Sequence, residues 1–101
     1  MELTLGRIVH ISLTKWDAEQ INKRRKDARD NMPQIQAESK GYVAHVGNDV
    51  VEGDVFPAVA VRIFSSTSGN FQVLLDGSDT FWATSRVQGD VPGNWHWLSK
   101  V

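Results

Sequence analysis

The sequence predicts an α+β fold: a small, curved antiparallel β-sheet or partly open barrel of about six strands, with one helix inserted after the first strand. Two observations lead to this class. Short runs of β-branched and aromatic residues recur along the chain and are separated by turn residues. One stretch near the N-terminus has helical rather than alternating periodicity. With 101 residues, the chain is expected to form a single domain, residues 1–101.

The first strand and the helix follow one another near the N-terminus. Leu3–Leu13 alternates and places three apolar residues on one face: Val9, Ile11 and Leu13. Thr14 and Asp17 form a capping-box-like start, so a helix is predicted from Lys15 to about Asp30. Its apolar stripe is narrow and is interrupted by a cation; it consists of Ala18, Ile21, Arg25, Ala28 and Met32.

The middle of the chain begins with a predicted break. Pro33 should end the helix, with one or two further turns at most over Gln34–Lys40. A short strand is predicted at Tyr42–Val46 and the longest strand at Val55–Phe64. Both faces of the longest strand are largely apolar, so it should be central. Arg62 is its exception, and we expect it to be ion-paired or to line a cavity.

The clearest element is a β-hairpin. Two strand-like runs, Phe71–Leu75 and Thr80–Arg86, flank the turn-forming sequence Asp76–Asp79. Alternation gives each strand one apolar face for the core. The opposite face of the return strand suits contact with a ligand, because it carries Thr80, Trp82, Thr84 and Arg86. Asn94–Leu98 then forms the closing strand.

Tryptophan and arginine are concentrated in two places. Trp95 and Trp97 are two residues apart, so on a strand both indoles point to one face, as either a core anchor or a stacking platform. Lys23–Lys26 with Arg29 is a concentration of positive charge on the helix. It is either a solvated face, partly neutralised by nearby carboxylates, or a phosphate-binding edge. In the second case Arg25 is the preferred ligand, since it lies in the stripe that faces the domain.

Several classes of protein are disfavoured by composition. The chain has no cysteine and a net charge of −1, which argues against thiolate chemistry and DNA binding. No apolar run reaches the roughly 18 residues of a membrane span and no signal-peptide pattern is present, so a cytosolic, non-membrane protein is expected. The three histidines, His10, His45 and His96, fit no metal motif. No catalytic spacing or phosphate loop is found, so we expect neither an enzyme nor a cofactor.

Several motifs together form a distinctive pattern, listed in chain order: Gly6–His10, Asp17–Arg25, Gly47-Asn48, Gly53–Ala58, Val61-Arg62, Gln72-Val73, Leu75–Gly77, Asp79-Thr80, Trp82, Thr84-Ser85, Gly89, Pro92-Gly93 and Trp95–Trp97. The pattern resembles a family of small proteins encoded by bacteriophages of actinobacteria. It covers most of the chain and is weakest over Ala28–Ser39. By size, source and residue chemistry, the family is similar to phage immune-evasion sponges, small β-rich oligomers that sequester nucleotide second messengers of host defence.

A nucleotide sponge needs cations for phosphates, flat side chains for bases, and polar groups for base edges and ribose hydroxyls. The candidate cations are Arg24, Arg25, Arg62 and Arg86, and the candidate stacking residues are Phe81, Trp82, Trp95 and Trp97. The candidate polar residues are Asn48, Asp76, Asp79, Thr84 and His96. Asp76 and Asp79 fit equally well a role in shaping the hairpin turn.

The resemblance therefore implies a sponge that binds a cyclic oligonucleotide or a cyclic ADP-ribose-type messenger without cleaving it. The alternative is a structural or adaptor protein of the phage particle, in which the same aromatic surface contacts other proteins. The narrow helix stripe and the aromatic closing strand leave apolar surface that one small domain cannot easily cover. We therefore expect a homo-oligomer, most simply one built from dimers.

Overall fold

The inner face of a curled sheet forms the core of this protein. The computed structural model describes residues 1–38 and 45–98, which contain one helix and a five-stranded antiparallel sheet curled into a half-barrel. In chain order the elements are β1 (Ile8–Ser12), α1 (Lys15–Glu38), β2 (Val55–Ser65), β3 (Ser68–Leu74), β4 (Thr80–Val87) and β5 (Trp95–His96). The predicted α+β class, the curved sheet and the place of the helix after the first strand are confirmed.

The strands lie in the order β4-β3-β2-β1-β5, so the longest strand is central, as its sequence predicts. Register partners share a face, and the inner face can be followed directly across the sheet. One inner row runs through Val9, Ala58, Val73 and Phe81, all of which are buried. Burial of such a row is the main driving force that holds the four long strands together.

One end of the half-barrel is closed where the chain leaves β4. Gln88 forms a parallel bridge with Trp95, and the Gly89 N–H donates to the Trp95 carbonyl at 3.0 Å. The indole N–H of Trp95 donates to the carbonyl of Thr67 at 2.9 Å. The edge strands β4 and β5 are therefore linked at this end of the sheet. With this link, two residues are enough to form β5.

The helix begins at the predicted capping box. The Thr14 N–H donates to Asp17 Oδ2 at 3.0 Å, and the Asp17 N–H donates to Thr14 Oγ1 at 3.0 Å. The predicted stripe is also observed: Ala18, Ile21 and Arg25 are buried, while Ala28 and Met32 are half-buried.

The prediction that Pro33 breaks the helix is wrong, because α1 continues through it to Glu38. The further turns predicted over Gln34–Lys40 are observed as far as Glu38, as part of the same helix. A proline within a helix removes a single backbone donor. Pro33 lies at an exposed position, where water can hydrate the carbonyl that this leaves unpaired. The cost of a proline within a helix, roughly 3 kcal/mol, does not end α1 at this position.

Five strands form instead of about six. Of the strand predicted at Tyr42–Val46, residues 42–44 lie outside the described residues, and 45–46 are not in a strand. The first strand is shorter than predicted, because Gly6 adopts a positive φ of 85° in a turn before it. The closing strand, predicted at Asn94–Leu98, contains Trp95–His96, and the contacts of Gln88 and Gly89 with Trp95 link it to the end of β4.

A bulge in β2 corrects the prediction for Arg62. The register shifts between Ala60 and Arg62, so alternation is interrupted there and Ile63, rather than Arg62, continues the inner face. Gly69 accommodates the bulge, since a Cβ atom there would lie 2.2 Å from the Arg62 carbonyl oxygen. Arg62 is exposed and forms no ion pair or side-chain hydrogen bond with the described residues. It is neither paired nor buried.

A second bulge in β4 reverses the prediction for Arg86. The register shifts between Gly69 and Phe71, and Ser85 adopts a positive φ of 53°. The side-chain oxygen of Asn70 stabilises this conformation by accepting the Ser85 N–H at 2.7 Å. Past the bulge Arg86 points to the inner side of the sheet instead of sharing a face with Trp82.

Candidate functional site

The eleven residues predicted to bind ligand fall into three places. Five gather where the helix meets the hairpin turn: Arg24, Arg25, Asn48, Asp76 and Asp79. Two lie on the inner side of the sheet: Arg86 and Trp95. The remaining four are on the opposite, outer side: Arg62, Trp82, Thr84 and His96. The charged side chains of the first two groups are engaged in ion pairs within the chain, whereas Arg62 and Trp82 in the outer group are exposed.

The first group is an ion-pair cluster centred on Arg25, whose side chain is only 1% exposed. Its Nε and Nη2 donate to the two carboxylate oxygens of Asp79, each at 3.2 Å. Its Nη1 lies 3.1 Å from Asp76 Oδ1 and also donates to the carbonyl of Asn48. Every nitrogen of the guanidinium therefore has a partner within the protein. The sequence-based proposal that Arg25 grips a phosphate is not supported by this geometry.

The two arginines and two aspartates of this cluster are paired with one another. Asp76 also accepts the Asn48 N–H at 3.2 Å. Partial desolvation raises the pKa of Asp76, but this hydrogen bond and the Arg25 guanidinium outweigh it and hold the pKa below its usual value. Arg24 lies 3.6 Å from Asp79 and donates to the Thr80 carbonyl at 2.8 Å. The cluster thus joins the helix to the hairpin turn and to the segment 47–49.

Arg86 and Trp95 also have structural roles. Arg86 forms a bidentate ion pair with Asp17, at 2.7 and 2.9 Å, and donates to the Gly93 carbonyl at 3.1 Å. Trp95 is fully buried in the core. Its ring packs edge-to-face on Trp97 with centroids 5.1 Å apart. Trp95 is therefore a core anchor and not part of a stacking platform, because its ring cannot reach a ligand in the folded protein.

The outer side of the sheet has a different character. One row runs directly across four strands through Ile8, Val59, Gln72 and Trp82. Neighbouring exposed positions are also apolar: Val55, Val61 and Leu74. Trp82 is 61% exposed, and Arg62 is the one formally charged residue on this side of the described strands. We call this surface, with Asn70, Thr84 and the half-buried His10 and His96, the outer sheet face.

Polar groups connect the indole and the guanidinium across β3. Gln72 is the register partner of Trp82, and Asn70 is the register partner of Arg62. Thr84 donates to Asn70 Oδ1 at 3.2 Å. Strands β2 and β4 are two strand spacings apart, or about 10 Å. Gln72 and Asn70 were not among the predicted site residues, although alternation already placed Gln72 opposite the core face.

Two histidines form a contact that the sequence did not predict. His10 and His96, distant in sequence, are register partners on β1 and β5. Their ring centroids lie 5.8 Å apart at an interplanar angle of 85°. Among the described residues, no group of three or more His, Cys, Asp or Glu side chains is arranged to hold a metal ion.

Comparison of the chain with protein-family models, curated proteins and solved structures finds no match. Within the described residues, the helix is not long and apolar enough to cross a membrane. Any functional conclusion therefore depends on the geometry of the outer sheet face.

Proposed function

We propose that this protein binds and sequesters a nucleotide on its outer sheet face without cleaving it. One observation carries the proposal: the exposed indole of Trp82 and the unpartnered guanidinium of Arg62 lie on the same face of one sheet. A nucleotide presents a flat base and a charged phosphate at its two ends. An indole and a guanidinium are suited to these two groups.

The sheet fixes the spacing between the two anchors. Arg62 follows a bulge supported by Gly69, and Trp82 lies in regular register between buried Phe81 and Ala83. Because neither residue is on a long loop, little backbone ordering accompanies binding. Gln72 lies beside Trp82 on β3, the strand between the two anchors, and its amide is suited to hydrogen-bonding the edge of a base.

The resemblance to phage proteins suggests the class of nucleotide. We propose a cyclic oligonucleotide or a cyclic ADP-ribose-type second messenger, which the protein sequesters in the cytosol of the host cell. Sequestration requires affinity and abundance but no reaction. An outer face built from an indole, amides and one arginine is consistent with binding of this kind.

The test is a thermal-shift panel of cyclic di- and trinucleotides and ADP-ribose derivatives, followed by heat release and mass analysis of the ligand. A ligand that binds only the folded state raises the thermal midpoint. Loss of base stacking in Trp82→Ala should weaken binding by about ten- to a hundredfold, from roughly 1–3 kcal/mol per base. Arg62→Gln should weaken binding and reduce its dependence on salt.

The chain offers matched controls for both variants. Trp16 is also 61% exposed but lies on the helix, and Lys23 is an exposed cation there. Trp16→Ala and Lys23→Gln should leave affinity unchanged. Equal losses in Trp16→Ala and Trp82→Ala would contradict the assignment to the outer sheet face. No shift with any ligand would contradict nucleotide binding itself.

A specific observation also supports the alternative function, an adaptor acting through protein contacts. The outer sheet face contains more exposed apolar surface than one base needs, at Ile8, Val55, Val61 and Leu74. We propose that this surface packs against a second copy, giving a homo-oligomer. Ile8→Asp should then lower the mass measured by light scattering at tens of micromolar, whereas Val91→Asp, exposed in a loop, should not. A monomeric wild type would contradict the oligomer.

A further inference from the structure

His10 and His96 face each other across the β1–β5 pair on the outer sheet face. They are direct register partners, and both side chains are half-buried. Their ring centroids are 5.8 Å apart and the ring planes are nearly perpendicular, at 85°. The ion-pair clusters involve neither residue. The pair is therefore available for a separate role.

The separation of the rings matches that of two imidazoles bound to one metal ion. A zinc–nitrogen bond of about 2.0–2.1 Å places the ion roughly 3.2 Å from the centre of each ring. Two such rings at a tetrahedral angle have centroids about 5 Å apart, and in a linear arrangement about 6.4 Å. The observed 5.8 Å lies between these limits. The rings are edge-to-face, so the side chains must rotate before one nitrogen of each can bind the same ion.

The backbone that carries the pair is already fixed. Trp95, next to His96, is anchored in the core by its indole hydrogen bond to Thr67. The Ser12 N–H donates to the Asn94 carbonyl at 3.3 Å, which holds β5 beside β1. Because the fold orders both ligands, metal binding does not have to organise the chain.

We propose that His10 and His96 form a two-ligand site for a divalent transition-metal ion such as Zn²⁺, Cu²⁺ or Ni²⁺. Imidazole nitrogen suits these ions, whereas Mg²⁺ and Ca²⁺ prefer oxygen ligands. No third ligand of the His, Cys, Asp or Glu type accompanies the pair among the described residues. The remaining coordination positions are open to water or to a donor from another molecule. This site does not depend on nucleotide binding.

The experiment uses the full chain without a histidine tag. Isothermal titration with Zn²⁺ and Ni²⁺ should show one ion per chain, or one per two chains, and Mg²⁺ should show none. His10→Asn and His96→Asn should each weaken binding at least tenfold. His45→Asn removes an exposed histidine from a different part of the chain and should bind as wild type. Equal binding by all three variants, or no binding by wild type, would overturn the proposal.

A second measurement covers variants that fold poorly. Cu²⁺ is paramagnetic, so substoichiometric addition to wild type should broaden the imidazole proton signals of His10 and His96 before those of His45. Broadening of His45 first, or of all three together, would overturn the proposal without any variant.

Discussion

Arg25 is expected to contribute more to stability than any exposed arginine on the helix, and Arg25→Met tests this. Methionine retains the apolar stem but removes the guanidinium. The change leaves Asp76, Asp79 and the Asn48 carbonyl without their shared donor. Breaking a fully buried ion pair costs about 3–5 kcal/mol. Here the partners are 43% and 29% exposed and can be hydrated, so we expect a smaller cost than this, about 2–3 kcal/mol.

The assays are urea unfolding, which gives the free energy, and thermal unfolding, both followed by circular dichroism at neutral pH. For a domain of this size, 1 kcal/mol shifts the thermal midpoint by about 4–8 °C, so a fall of roughly 8–24 °C is expected. Arg24→Met is the matched control, because Arg24 is 49% exposed and should contribute less than about 1 kcal/mol. Equal stability of the two variants would refute the assignment. So would a stable Arg25→Met protein that had lost only nucleotide binding.

Three further predictions concern the same framework. The pKa of Asp76 is lowered in the folded state, so its stabilising effect is present above its unfolded pKa near 4 and is lost as pH falls through the lower folded value. The free energy of unfolding of Asp76→Asn, measured in urea, should therefore fall less steeply with decreasing pH than that of wild type. Arg86→Met leaves buried Asp17 unpaired and should cost about 3–5 kcal/mol in the same assay, and a loss below 1 kcal/mol would contradict a structural role. Gly69→Ala places a Cβ atom against the Arg62 carbonyl, so the thermal midpoint should fall by several degrees, from roughly 1–3 kcal/mol of overpacking; an unchanged midpoint would show that the bulge can move.

Local patterns in the sequence were sufficient for much of the fold. The hairpin strands and the helix start were predicted closely, because alternation and the Thr14–Asp17 capping box depend on near neighbours. Neither the bulge before Arg62 nor the bulge at Ser85 was predicted. Each inserts one residue opposite a partner strand, and the partner is known only once the sheet is assembled. This explains why Arg62 and Arg86 were assigned to the wrong surroundings.

The candidate site was predicted in part for a similar reason. Residue chemistry identified Arg24, Arg25, Asp76 and Asp79, and these residues do lie together. Composition does not reveal whether a cation faces a ligand or a carboxylate of the same chain. Here Arg24 and Arg25 both pair with aspartates of the same chain. The contact between His10 and His96 likewise depends on the pairing of the first and last strands, which no local spacing indicates.

The carboxylate of Asp17 holds three parts of the chain at once. It accepts hydrogen bonds from the Thr14 N–H and from the Arg86 guanidinium. The same guanidinium also donates to the Gly93 carbonyl. Opening of the first helical turn therefore also breaks the link between the helix and the end of β4. Beyond Arg29 the described side chains of the helix are exposed or half-buried. We therefore expect the amides at Ile21 and Arg25, on the buried face of the helix, to exchange more slowly than those at Asp30 and Asn31, whose side chains are exposed.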